Sequence, residues 1–490
     1  LISTFFNSGV IKNNTEGTIG IYAEKGGQIT HYLESGTDPL AMTSKIQSGN
    51  GAIGVYVKDT GTIANINAPI ITGNSTASNT SIAVMSDGNA ITVFNNVAGT
   101  GNQASLNIGQ NAVGLYSLTG SNFSNAFQIN GLKADLGANS VLGYIKESTA
   151  SVSNLSNVTI NSMGANSAVL YGANNSDITI DSNINVPVAT NAQLYVAENS
   201  KLTLNNGFII TGLSTGLSAF SLDNKFFSNG TPVTVDNNKT GVTNKGTVTM
   251  NSANSVGMYT LYGQNINETS GVVNIQGNSG VGMYSEEEAI ITNKGNIITK
   301  GASSSAIVSQ SIGGAGGNAG GAVVASVGSA NAVNLGIGGN GGEGGKAGLA
   351  KVENEAEYIG TAGDNSSAII AQSIGGDGGN GGFAGAADIF GGNSVGLSFG
   401  GAGSKGAEAN KAIVNSTGSI GTKGHNSSAI VAQSIGGTGG NGGLALSVKA
   451  AGSGQLAANI ALGGEGGNGA LSDEVKVIAQ KSHMSNPKDI

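Results

Sequence analysis

Ser305–Gly314 reads SAIVSQSIGG, Ser367–Gly376 reads SAIIAQSIGG and Ser428–Gly437 reads SAIVAQSIGG, in steps of 62 and 61 residues. Each copy runs into a glycine tract (GGAGGNAGG, GGDGGNGG, GGTGGNGG) and follows a T-x-G-x-x-S lead-in. A second marker keeps the same pitch: LGIGG at Leu335, LSFGG at Leu397 and IALGG at Ile460. Repetition at a fixed pitch means one structural unit stacked on itself. Between the markers lie alternating runs such as Val333-Asn334-Leu335-Gly336-Ile337 and Leu446-Ser447-Val448. Such alternation is the pattern of a half-buried strand.

Upstream, a shorter phrase recurs. GTIGIY ends at Tyr22, GAIGVY at Tyr56, NAVGLY at Tyr116, SVLGY at Tyr144, SAVLY at Tyr171, SVGMY at Tyr259 and GVGMY at Tyr284. Tyr259 and Tyr284 are 25 residues apart, and Gly246, Gly271 and Gly295 follow at steps of 25 and 24. A step of ~20–25 residues, made of short strands and turns, fits one coil of a parallel β-helix, in which stacked coils share the core that one coil cannot close. The expected fold class is therefore all-β: a right-handed parallel β-helix (solenoid) with Gly-rich turns and loops. Residues 1–300 would form coils of ~25 residues, and residues 301–490 would continue the helix as three Gly-rich repeats of ~62 residues.

The repeats also make finer expectations. Counting 25 residues on from Met258 and Met283 reaches Val308, which puts the two regimes in register. Alternation places Val256 and Met258 inward. It places Ala306, Val308 and then Ile312 at the matching sites, with Ile370 and Val431 equivalent to Val308. The longer repeat counts as about two and a half short steps. About twenty coils at ~4.8 Å each would make a rod on the order of 95 Å long. The glycine tracts are either tight corners or flexible loops thrown out from the rod, and the sequence leaves both open.

Composition narrows the function. Glycine is 83 of 490 residues and proline only 5, with no G-X-Y period, which excludes collagen. Charged residues are 10%, too few for a disordered chain. There is no Cys and no Arg, and the net charge is −8. These exclude disulfides and thiolate metal sites, and leave no basic footprint for nucleic acid. No apolar run approaches the ~18 residues of a transmembrane helix. The chain starts at Leu1 without a signal peptide, so it is expected to be an internal fragment of something longer.

The decapeptide with its GGxGGNGG tract resembles the repeats of large Gram-negative autotransporter passenger domains, the type V secretion family. The SVGMY and NKGTI-like phrases are similar to those of autotransporter adhesins of fusobacterial type. The resemblance covers residues 240–485 well and 1–240 loosely. It implies a β-helical passenger carried to the bacterial cell surface by a C-terminal β-barrel translocator in the outer membrane. The barrel is not within these 490 residues. The implied function is that of an adhesin or structural stalk, non-enzymatic, extracellular and tied to virulence. The implied partner is a host or neighbouring-cell surface protein or glycan. The alternative from a different class is a β-helical enzyme that degrades polysaccharide. That enzyme would need paired carboxylates ~5–9 Å apart.

No motif here carries chemistry of its own. GLSTG (212–216) and GNSVG (392–396) match the nucleophile-elbow pattern but are read as turn serines, and His31, His425 and His483 lie far apart. GGEGGKAG (341–348) has Ala347 where a phosphate loop needs Ser or Thr. GGDGGNGGF (375–383) lacks the Asp in each copy that a calcium repeat needs, with Ala315 and Thr438 in its place. Glu286-Glu287-Glu288 and the alternating Glu353, Glu355 and Glu357 are read as solvated faces. Catalytic, cofactor-binding and metal-binding residues, and any cofactor, are therefore expected to be none. Tyr259 and Tyr284 stand as candidate exposed binding aromatics, because alternation turns them out when Met258 turns in.

Overall fold

A computed structural model describes residues 4–7, 9–31, 45–97, 102–118, 122–186, 193–196, 199–212, 218–222, 240–327, 331–389, 393–450 and 456–480. Each turn of the chain lays one short strand on each of three faces. Val281–Ser285, Ile290–Asn293 and Asn296–Thr299 form one such coil. Met283, Ile291 and Ile297 turn into its centre with no exposed surface. Strands of one face pair in parallel from coil to coil, so the chain is an all-β parallel β-helix. Among the described residues the first face is a single sheet of 13 strands, from Ile19–Ala23 to Ile430–Ile435. The second face is split into sheets of five and nine strands, and the third is also split in two. Both splits lie beside the short helix Phe123–Ala126 and the 3-10 turn Leu155–Asn157.

The corner before most of the described first-face strands holds a left-handed residue. Asn111, Asn139, Asn166, Asn254, Ser279, Ser303, Asn365 and Asn426 fill that place with φ between 53° and 56°. Asparagine tolerates this region better than other residues with a side chain. The serine that follows ties the corners together. Gly280 N–H donates to Ser304 Oγ, Ser304 N–H to Ser366 Oγ and Ser366 N–H to Ser427 Oγ, each at 3.0 Å.

A buried amide row runs through the later coils. On the second face the apolar row Val152, Ile180, Leu204 gives way to Asn244, Asn267, Asn293, Asn354 and Ser416. Each Asn Nδ2 donates to the side-chain oxygen one coil on, at 2.8, 2.9, 2.8 and 2.9 Å. The row satisfies its own hydrogen bonds, which is the condition for burying amides.

Three sequence expectations need correction. Met283 pairs with Ile307, and Tyr284 with Val308, so the inward site of the decapeptide is Ile307, with Ile369 and Ile430. Val308, Ile370 and Val431 continue the outer row of Tyr284 instead. Strict alternation fails because two consecutive residues turn inward, Gly282 and then Met283. A Cβ on Gly282 would lie 2.5 Å from Ala306 O and 2.7 Å from Ile297 Cγ2, so only a small residue fits there. Val256 is accordingly half-buried on the outer side, and Ile312 is 56% exposed.

The rod length also falls. The 62-residue repeat contributes one coil, not two and a half, because its remaining residues leave the rod and return. Thirteen stacked strands at ~4.8 Å span on the order of 58 Å. The departing and returning chains meet at a neck. Gly348 N–H donates to Ser311 Oγ at 2.7 Å, Asn410 N–H to Ser373 Oγ at 2.8 Å and Asp473 N–H to Ser434 Oγ at 2.8 Å. That serine is the seventh letter of the decapeptide. Beside it, Gln310, Gln372 and Gln433 link Nε2 to Oε1 at 2.6 Å along the outside.

Beyond the neck the glycine tracts are neither corners nor loose loops. Outgoing and returning tracts pack into a lattice with a period of three residues. Gly378 N–H donates to Thr438 O in the next repeat at 2.8 Å, Gly379 N–H to Gly342 O of a returning tract at 2.8 Å, and Asn380 N–H to Asn318 Oδ1 at 2.9 Å. Three residues per turn with no local hydrogen bonds is the polyproline II pattern. The sequence G-G-x is its direct requirement: two residues face neighbouring backbones and the third points out. Each tract leads to a pair of strands, Ala322–Val327 with Asn331–Ile337 and their two later counterparts. These stack as two three-stranded parallel sheets. Nine tract residues at ~3.1 Å and six strand residues at ~3.3 Å make a finger on the order of 45 Å long.

Candidate functional site

The tyrosines form a row on the outer side of the unbroken first face. Tyr22 pairs in register with Tyr56, Tyr116 with Tyr144 and Tyr171, and Tyr259 with Tyr284. Ring centroids are 5.2 Å apart for Tyr22–Tyr56, 5.0 Å for Tyr116–Tyr144, 5.3 Å for Tyr144–Tyr171 and 5.5 Å for Tyr259–Tyr284. Tyr259 and Tyr284 are half-buried.

The acidic residues at the following corner border this row. Glu287 and Glu288 make the corner itself, with φ of 45° and 68°. Glu286 accepts hydrogen bonds from Tyr259 Oη at 3.1 Å and Tyr284 Oη at 2.5 Å. Glu24 accepts from Tyr22 Oη at 2.7 Å and Asp87 from Tyr56 Oη at 3.1 Å. The bond to Glu24 pushes the Tyr22 phenol up to about 12. Burial, with the charge of Asp87, pushes Tyr56 up to about 12. Burial and the bond to Glu286 drive Tyr284 well above the usual phenol range.

A titration followed by phenolate absorbance should therefore show these rings still protonated when free tyrosine has ionised. Folding holds the neutral phenol, so its contribution is complete below pH 10 and is lost as pH rises from 10 through about 12. Thermal stability should fall across that window. Glu286→Gln should bring the Tyr284 ionisation back toward lower pH. Ionisation of every tyrosine near pH 10 would show that the acid border is not engaged.

The remaining sequence motifs do not converge. Ser394 of GNSVG lies within the strand Asn393–Phe399, not at a strand-to-helix turn. The serine of GLSTG and His483 lie outside the described residues. His31 is buried, and His425 sits at a corner where its N–H donates to Asp364 Oδ1 at 2.7 Å. GGEGGKAG is part of a returning tract and runs into the strand Ala350–Asn354. Asp377 accepts from both the N–H and the hydroxyl of Thr438 at 2.7 Å, a tie between repeats. Glu353 pairs with Lys351 at 2.9 Å and accepts from Asn415 Nδ2 at 3.0 Å. No helix among the described residues is long and apolar enough to cross a membrane.

The fingers hold a surface that the sequence pattern did not reveal. Their two sheets pack with small and polar side chains between them. Asn334 Nδ2 donates to Ser326 Oγ at 2.8 Å and to Ala387 O at 2.9 Å. Lys449 lies 3.8 Å from Asp388, with side chains 2% and 4% exposed. The alternating apolar residues face outward instead: Val333 is 75% exposed, Ile337 59% and Leu462 54%.

No protein-family model matches the chain, and no curated protein or solved structure is detectably similar to it. The surface must therefore be read from its own chemistry. The signal for the inverted fingers was present in the inward positions Asn334, Gly396 and Asn459, which share one row across all three repeats. A row of Asn and Gly cannot be the apolar side of a core, so the narrow gap between the sheets selects small residues.

Proposed function

We propose that this chain is a displayed rod: an adhesin or stalk segment of the autotransporter-passenger kind, non-enzymatic and held outside a bacterial cell. A β-barrel elsewhere in the same protein would anchor it. Its partner would be a surface protein or glycan of a host or neighbouring cell. The observation that carries this reading is the division of labour between a filled rod and ordered fingers. The rod is packed along its length by residues such as Met258, Met283 and Ile307. The fingers hold apolar surface tens of ångströms from it. Such a build spends its residues on reach and display.

The test is binding of purified 1–490 to cell surfaces and to a glycan array, beside an assay for polysaccharide cleavage. Saturable binding without cleavage is expected. Tyr259→Ala with Tyr284→Ala should lower that binding about tenfold if the acid-edged row is the contact. Cleavage of polysaccharide would overturn the reading.

A further inference from the structure

We propose that the outer face of the finger sheet Asn331–Ile337, Asn393–Phe399, Ala457–Leu462 docks onto the same face of a second copy of this chain. The proposal goes beyond the display reading and holds wherever the chain resides. Three columns of three side chains make up the face, on the order of 700 Å² of accessible apolar surface against the ~800 Å² per partner of a stable interface. A patch of this size marks an interaction site.

The face also selects its occupant. It carries no charge, so it offers nothing to a charged partner. Its central columns have no hydrogen-bonding side chain to hold a sugar. The edge of its first strand, Asn331–Ile337, has unpaired backbone groups among the described residues, which hydrocarbon would leave unsatisfied at several kcal/mol each. An apolar protein surface remains, and this face complements itself. One end carries the small side chains Val333, Val395 and Ala458, which together with Asn331, Asn393, Ser394 and Leu456 border an open hollow of about 320 Å³. The other end carries Ile337, Phe399 and Leu462.

A twofold axis across the strands, through the column of Leu397, sets the large end of one copy into the hollow of the other. Phe399 then enters beside the partner's Val395. That axis runs along the stacking direction. The fingers overlap in opposite directions, at the ~10 Å spacing of packed sheets. The two rods stand apart, parallel and pointing the same way. The contact is isologous and closes as a dimer.

Sedimentation equilibrium of the 490-residue chain from 1 to 100 µM tests this. A dimer is expected. Leu397→Glu places like charges at the axis and should weaken it at least 100-fold. The side chain is half-buried, and an unchanged melting temperature at a concentration where both chains are monomeric checks that the variant is folded. Val448→Glu, on the opposite finger face and 51% exposed, should leave the dimer intact. Leu397→Cys, the sole cysteine of that variant, should couple to itself through a short bismaleimide. A monomer at 100 µM would overturn the proposal. So would association that survives Leu397→Glu, or association that Val448→Glu abolishes. Flotation of a monomeric chain with phosphatidylcholine vesicles, lost in Leu397→Glu, would assign the face to lipid instead.

Discussion

Gly379→Ala is expected to unfasten the fingers while leaving the rod folded. The Cβ it adds would lie 2.2 Å from Gly317 O and 2.9 Å from Gly342 N, with backbone on both sides. Neither neighbour can withdraw, because Gly379 N–H is itself bonded to Gly342 O at 2.8 Å. Overpacking of this kind costs ~1–3 kcal/mol and more where backbone cannot shift. We expect about 3 kcal/mol, concentrated in the fingers. Gly317→Ala is the matched control, since a Cβ there meets nothing within 4 Å. It should be neutral or add ~0.5 kcal/mol by restricting the unfolded chain. Amide hydrogen exchange reads both. In Gly379→Ala, protection across 313–321, 338–347 and 375–383 should fall more than 100-fold, while Ile290–Asn293 keeps its protection. Equal exchange in the two variants would show that tract packing does not order the fingers.

The second large effect is expected at Asn293→Ala. This residue accepts from Asn267 Nδ2 at 2.9 Å and donates to Asn354 Oδ1 at 2.8 Å, all three side chains being buried. Alanine leaves one buried donor and one buried acceptor without partners, at ~1–3 kcal/mol each. A loss of about 4 kcal/mol is expected in the coils on either side. Stacked repeats unfold by nearest-neighbour terms rather than as one unit. The variant should therefore show an early urea transition in the coils near residue 293, ahead of the rest. An unchanged urea profile would mean that the amide row adds nothing beyond filling space.

The pitch and register of the coils were legible because each is written in the residues that corners and stacking demand. Tyr259 to Tyr284 and Tyr116 to Tyr144 to Tyr171 are spaced as the coils are, and they pair as that spacing implies. The continuity of the first face into the decapeptide could also be read, though one residue off. Alternation assumes one residue in and one out, and the inward pair Gly282-Met283 breaks it. The finger lattice was not legible for a different reason. A three-residue period of glycine is also what a flexible loop looks like, and only the neighbouring tract decides between them. The polarity of the finger strands was misleading too, since Val333, Leu335 and Ile337 read as a face that seeks cover. Tyr259 and Tyr284 were legible as an outer pair, whereas their link to Glu286 depends on how the corner folds back.

The neck serines have a consequence for how such a chain can be lengthened. Because Ser311, Ser373 and Ser434 each close a finger within a single coil, one more 62-residue repeat would lengthen the rod by only ~4.8 Å yet add a whole finger. One more coil of the short kind lengthens the rod just as much and adds no finger. Duplication of the long unit therefore raises valence at nearly constant reach, and duplication of the short unit raises reach at constant valence. The two properties are set by separate stretches of sequence and can change independently.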